Sequence, residues 1–399
     1  MNGEDKKQKR LCILLSFMLC FSALITSVVV ILKTYMHIPF VNAGFLYILY
    51  YGLLLVCCFD AAGTRMPSAS FWGISLVLLA YLTTLMAFPS NRRYMWTNAL
   101  DLMENPTYVF LLFSFAGFVA APYLKDFEMF QRIFEKFAVV TVSAMALRYV
   151  WGTFRGEASP QYMTFSYNLL LPTTFLLLRC ILDFRWYRLL LSVLGGILIL
   201  IAGCRGALLG LIASVLSFVF LVGKMPIKNR NRAKLLLILL AIVVWAFYDQ
   251  ILNFIAQTLN SMGIGSRTIN MLIDANFTDD SGRSELQKII LRYINVFGHG
   301  LWGDRILLYG RYPHNLLMEI LYDFGLLPGT LLIVGLIYVL LHGARQATES
   351  KNIIICALIS TGFVKLIFSG SFVNIEPALY VLIGLCVSPN GRCIKKGTQ

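Results

Sequence analysis

Apolar residues fall in long, nearly unbroken runs along this chain, separated by short polar turns that carry most of the charge. Runs of about 17 to 25 residues match the length an α-helix needs to cross a hydrocarbon core, whereas membrane barrels show short alternating segments. The pattern predicts an all-α polytopic membrane protein with twelve spans, at 11–32, 39–59, 70–89, 106–123, 135–153, 165–182, 187–203, 205–223, 234–250, 314–341, 352–369 and 374–389. The first run follows Lys6, Lys7, Lys9 and Arg10 and is too long for a signal-peptide core, so it reads as a retained span. Only one connection is long, residues 249–313, and it holds six acids and six bases. Any anion site in that loop must come from placement of charge and not from its bulk.

Within the loop, Asp280 or Ser281 is expected to cap an amphipathic helix running from about Arg283 to Asn295, with Leu286, Ile289, Ile290, Tyr293 and Phe297 on one face. Such a helix would lie at the membrane interface. The following Gly298-His299-Gly300-Leu301-Trp302-Gly303 reads as a flexible hinge. After it, Pro313 suits a helix start, which predicts a helix from His314 through Leu341 with His314 in its first turn. Pro328, flanked by Gly325 and Gly329, predicts a kink or break in that helix. At about 100° per residue, the eleven steps from His314 to Gly325 would return to nearly the same face.

Charge orients the chain. A net charge of +14 in a soluble protein would suggest nucleic acid; in a chain that is 58% hydrophobic and 14% charged it is first a topological signal. With both termini in the cytoplasm, 21 Lys and Arg fall inside and 7 outside, leaving aside the six in the long loop. No nucleic-acid partner is expected. The nine cysteines include no C-x-x-C pair, so neither a disulfide framework nor a zinc site is indicated.

Ionisable groups in or beside membrane spans are costly, and each calls for a reason. Arg205 stands in Ala202-Gly203-Cys204-Arg205-Gly206-Ala207, where small neighbours such as Gly206 would let a backbone or a phosphate approach. The alternative is an arginine that snorkels to the headgroups. Arg283 opens the amphipathic helix and could hold a phosphate bidentately or pair with Glu285. Lys365 and Glu376 are candidates for an ion pair between adjacent helices, and Arg148 for a contact to an anionic substrate. Adjacent Asp279 and Asp280 read as a helix cap and not as a metal site. His314 is either a base at the mouth of its helix or a histidine resting at the interface.

Two of these segments together resemble the O-antigen polymerase (Wzy-type) and O-antigen ligase superfamily of bacterial membrane glycosyltransferases. The Gly203 to Gly210 turn is similar to the family's serine-arginine-glycine turn, with Cys204 where serine is usual. His314-Asn315, nine residues and Gly325 match its His-Asn-x9-Gly pattern, although Pro328 stands at the pattern's last position, where Gly, Thr or Tyr is usual. The resemblance covers about 185–345 and divides the chain into 1–184 (six spans), a core at 185–345, and 346–399 with two spans and a cytoplasmic tail.

The resemblance implies a GT-C-like, metal-independent enzyme without a cofactor, in the bacterial inner membrane with its active site on the outer face. It implies His314 as the base on the acceptor hydroxyl and Arg205 and Arg283 on the diphosphate, with Asn315, Gly325 and Gly206 as motif positions. Arg311 is added as a third candidate phosphate contact. The implied partners are an undecaprenyl-diphosphate-linked glycan, an acceptor glycan and membrane lipid, with a flippase and a chain-length regulator beside them. Polymerisation of repeat units into O-antigen or capsule is the leading expectation, on prevalence alone, and ligation to lipid A-core is the alternative. A flippase or other transporter is less favoured, because the notable charges lie at the outer rim and not at the midplane.

Overall fold

The computed structural model describes residues 3–30, 50–54, 56–58, 60, 66–98, 104–154, 162–221, 253, 257 and 282–388. Regular structure among these residues is helical: α1 (Gly3–Val30), α2 (Ser68–Ala87), α3 (Pro89–Met95), α4 (Pro106–Tyr123), α5 (Phe127–Phe154), α6 (Tyr162–Leu182) and α7 (Trp186–Ala202) form the first half. The second half holds α8 (Arg205–Leu221), α9 (Arg283–Tyr293), α10 (Gly303–Leu307), α11 (Leu316–Phe324), α12 (Leu326–Gln346), α13 (Glu349–Phe368) and α14 (Pro377–Val387). Six helices are long and apolar enough to cross a membrane, in α1, α2, α4, α6, α12 and α13, while α7, α8 and α14 are shorter apolar helices. Of the twelve expected spans, 234–250 lies outside the described residues and 39–59 is described only from Tyr50 onward.

The core is shared by the whole chain. Leu11 of α1, Phe134 of α5, Phe175 of α6, Phe218 of α8, Ile355 of α13 and Leu382 of α14 are all buried in one cluster. In contrast, α2 exposes Phe71, Trp72, Leu76 and Leu79, and α12 exposes Leu327, Leu331, Val334 and Tyr338. Apolar faces of that extent suit lipid, which is where a membrane helix turns them. Helices in lipid gain little from hydrophobic burial against each other, so close contact between small residues does more of the packing. At the crossing of α4 and α14, a Cβ on Gly384 would stand 2.9 Å from the carbonyl oxygen of Phe118.

Two helices are locally overwound into wider turns. Residues Leu111–Phe115 of α4 and Ile359–Val364 of α13 are π-helical. Ser114, in the first, donates to the Asn374 carbonyl and accepts from the Glu376 amide. Lys365 directly follows the second and bonds both Glu376 carboxylate oxygens, at 2.6 and 2.7 Å. The ion pair expected between these two residues is therefore present.

The expected single helix at 314–341 is two helices, and the break falls at Gly325. Its φ of 88° and ψ of 169° lie in a region open essentially to glycine alone. Pro328 sits in the first turn of α12, where a missing amide hydrogen costs nothing. His314 precedes the helix, with a left-handed φ of 56°, and Asn315 is the N-cap, so the argument that placed His314 and Gly325 on one helical face fails. The start of α9 differs as well. Its N-cap is Gly282 at φ 79° with no side-chain cap bond, while Asp280 and Ser281 lie outside the described residues. Ile290 of α9 is buried and Leu286 packs against it with Leu308 and Tyr322, but Ile289, Tyr293 and Phe297 are exposed. The apolar surface of α9 thus points in two directions, one into the protein and one away from it.

Candidate active site

The stretch before His314 is a tied turn and not the flexible hinge its glycines suggested. The amides of His299 and Gly300 donate to the Asp323 carbonyl at 3.1 and 2.8 Å. Asn91 donates to the carbonyls of His299 and Leu301, and the Leu301 amide donates to the Thr84 hydroxyl. Trp302 is buried against Tyr81 and Phe110. A turn whose backbone groups are so fully satisfied is fixed, whatever its glycine content.

From this anchor the chain passes through α10 and reaches His314. Gln287 of α9 donates to the Pro313 carbonyl at 3.2 Å, and the Asn315 side chain accepts from the amides of Leu317 and Met318 at 3.0 and 3.2 Å. The asparagine of the His-Asn pair therefore does structural work: it caps α11 and so holds the residue before it outside the helix. Histidine is among the few side chains that tolerate a left-handed φ.

His314 and Tyr312 line a cavity of about 570 Å³ together with Tyr167, Asn168, Lys365 and Glu376, and the cavity continues between apolar residues such as Met18, Phe21 and Phe113. The imidazole lies 4.1 Å from the Tyr312 ring, and its Nδ1 has no hydrogen-bond partner among the described residues. Burial, then the positive charges of Arg283 and Arg305, push its pKa down to about 4. It is therefore a neutral imidazole at pH 7.

The structure gathers some of the expected residues around it. Arg283 donates from Nη1 to the Phe368 carbonyl at 2.6 Å and from Nη2 to the Met163 sulfur at 3.2 Å, and Met163 also lines the cavity. Gly206 packs against the Tyr167 hydroxyl and lies near Phe368, so the turn that carries Arg205 meets the surface that holds Arg283. Arg205 itself is half-buried at the start of α8. Arg311 stands apart, exposed on the loop, with no ion pair printed by its geometry to any described residue. Gly325 acts at a distance, since a Cβ there would collide with the backbone of Val296 and Gly298.

A buried charge cluster beside the site escaped the sequence reading. Arg305 is 2% exposed and donates to Glu319 at 2.8 Å, to Asp304 and to Ser371. Glu319 also accepts from Ser371 and from the Phe372 amide, and the nearby Asp323 is buried too. Burial first, then the neighbouring carboxylates, raises Asp304 to about 7 and Asp323 well above the usual carboxylate range. Glu319 and Asp323 stand four apart on an otherwise apolar helix, and that spacing was the available signal. The Lys365 and Glu376 pair was found in sequence, but its place in the same cavity as His314 was not.

Residues 190–334 match a family model described as O-antigen ligase, a segment that contains Arg205, Arg283, Arg305 and His314. No curated protein and no solved structure matches the chain.

Proposed function

From a chain that belongs, by residues 190–334, to the O-antigen polymerase and ligase superfamily, we propose a membrane glycosyltransferase that polymerises undecaprenyl-diphosphate-linked repeat units into a surface polysaccharide. The observation that carries this reading is His314, a neutral imidazole with an unpartnered ring nitrogen, facing a cavity with a guanidinium close by. In the reaction, the acceptor hydroxyl attacks the anomeric carbon of the lipid-linked sugar and passes its proton to His314. The bond from that carbon to the diphosphate oxygen breaks, and the lipid diphosphate leaves. Arg205 and Arg283 take the developing negative charge, a role that a metal fills in many phosphate-leaving reactions. Arg311, exposed and apart from these groups, is at most an entry contact for the diphosphate.

Binding would also tune the base. A diphosphate near Arg283 cancels one of the charges that hold the imidazole pKa low, so His314 becomes a stronger base when the substrate is in place. In this reading the chain crosses the bacterial inner membrane twelve times, with its termini in the cytoplasm and the His314 cavity at the outer face. The family model's description favours a second reading, ligation of the finished glycan to lipid A-core or another acceptor.

Deletion of the gene and complementation with wild type, His314→Ala, Arg205→Ala or Arg283→Ala, with membrane expression checked, separates these readings. Single repeat units on the acceptor mean a polymerase; full-length chains stranded on the carrier mean a ligase. Normal glycan from expressed variants would sink the catalytic assignment.

A further inference from the structure

We propose that the end of the bundle away from His314 carries a binding site for the phosphate of an anionic phospholipid. A second cavity, of about 790 Å³, opens there between α1, α5, α6 and α7. The two cavities sit at opposite ends of one helix: Met163 of α6 lines the first and Arg179 lines the second. Sixteen residues at 1.5 Å each separate them by about 24 Å along the axis.

The charge of the second cavity is lopsided. Lys9, Arg132, Lys136, Arg179, Arg185 and Arg188 line it, against two acids, Glu135 and Asp183. Both acids are already engaged. Arg188, 3% exposed, bonds Glu135 at 2.6 and 3.1 Å and Asp183 at 2.8 Å, while Arg179 and Arg185 approach the same two carboxylates. Lys9, Arg132 and Lys136 are exposed and have no ion pair among the described residues. Three cations on a rim around a satisfied ion-pair floor leave room for one anion.

Two further observations make that anion a lipid headgroup and not a soluble ion. The cavity wall is apolar at Met129, Ile133, Val139 and Val140. On α5 the exposed positions Arg132, Lys136 and Val140 follow one another at intervals of four, and Leu147 continues the stripe one heptad later. A headgroup held at the first two would lay its acyl chain along the others. Phe184, Trp186 and Tyr187 are also exposed at the cavity's edge, with Phe184 and Trp186 ring to ring at 5.0 Å. Exposed aromatic side chains of this kind mark the headgroup level of a bilayer, and basic pockets between helices at that level suit anionic lipid.

The test uses the purified full chain in neutral detergent, and reads its melting temperature with added phosphatidylglycerol, phosphatidylcholine or inorganic phosphate. Phosphatidylglycerol is expected to raise the wild-type midpoint by about 3 °C or more, and the other two are expected to leave it unchanged. The rise should vanish in a Lys9→Gln, Arg132→Gln, Lys136→Gln triple variant, which spares the Arg188 ion pairs, and should survive in Arg132→Lys, Lys136→Arg. An equal rise in the triple variant, or none in wild type, overturns the site; an equal rise with inorganic phosphate overturns the lipid. If the triple variant does not fold, native mass spectrometry of wild type from bilayer discs of equal phosphatidylglycerol and phosphatidylcholine decides. Retention of both lipids alike would refute the proposal, and selective retention of phosphatidylglycerol, lost in an Arg132→Gln, Lys136→Gln double variant, would uphold it.

Discussion

Arg305 holds its guanidinium 4.8 Å from the ring centre of Tyr312, and that ring is the neighbour of the His314 imidazole. The buried charge cluster and the proposed base are thus joined through one aromatic side chain. Arg305 is the cation that Asp304 and Glu319 share, so its loss strands carboxylates in an apolar interior. Arg305→Met is expected to cost about 3–5 kcal/mol, read as a lower melting temperature in detergent and a lower membrane abundance. Glu319→Gln should cost less, since Arg305 keeps Asp304.

Asn315→Ala removes the cap of α11, and a loss of about 1 kcal/mol in stability is expected. Because the cap fixes where the helix begins, glycan transfer should fall more than stability does. Asn315→Asp keeps an oxygen for the Leu317 and Met318 amides and should restore much of both. Equal activity in the alanine and aspartate variants would show that the cap does not position His314.

Gly325→Ala meets two obstacles, a backbone region closed to alanine and a collision with Val296 and Gly298. The backbone term alone is about 1–3 kcal/mol. Thermal unfolding of the purified variant should show at least that loss, whereas Gly335→Ala, at a position with open space around it, should be nearly silent.

As a base, His314 must be neutral. Its ordinary pKa of 6.5 is pushed down to about 4 in the free protein, so kcat/KM should stay level below pH 6.5 and fall only as pH approaches 4. Arg283→Gln removes one of the charges that lowers it, so the acid limb should move to higher pH. The same sign governs stability: the contribution of a neutral His314 is full above pH 6.5 and is lost as pH falls toward 4. A pH profile of transfer in proteoliposomes checks this, and an unmoved limb in Arg283→Gln would remove Arg283 from the neighbourhood of the base.

Helical class was legible because membrane-length apolar runs leave few alternatives, and the break near Gly325 was legible because proline and glycine act locally. The placement of the break was not. It depends on Gly325 meeting the chain at residues 296–298, a contact between segments some 27 residues apart that no local pattern encodes. The glycines of 298–303 misled for the same reason: partners on α2, α3 and α11 turn a permissive sequence into a fixed turn. Lys365 and Glu376 could be paired from the sequence, since a lone lysine in an apolar helix needs an acid nearby. Arg305 stayed hidden in a loop of balanced charge, because the count of acids and bases says nothing of which ones are buried.

The π-helical turn at Ile359–Val364 gives this region an unusual sensitivity to chain length. A π turn stores one residue beyond the α-helical count, so deleting a single residue there would let α13 regularise and rotate everything after it by about 100°. Lys365 is the first residue past that turn, and it would swing out of register with Glu376 and with the cavity they share. The phase of α13, and not only its composition, sets what faces His314.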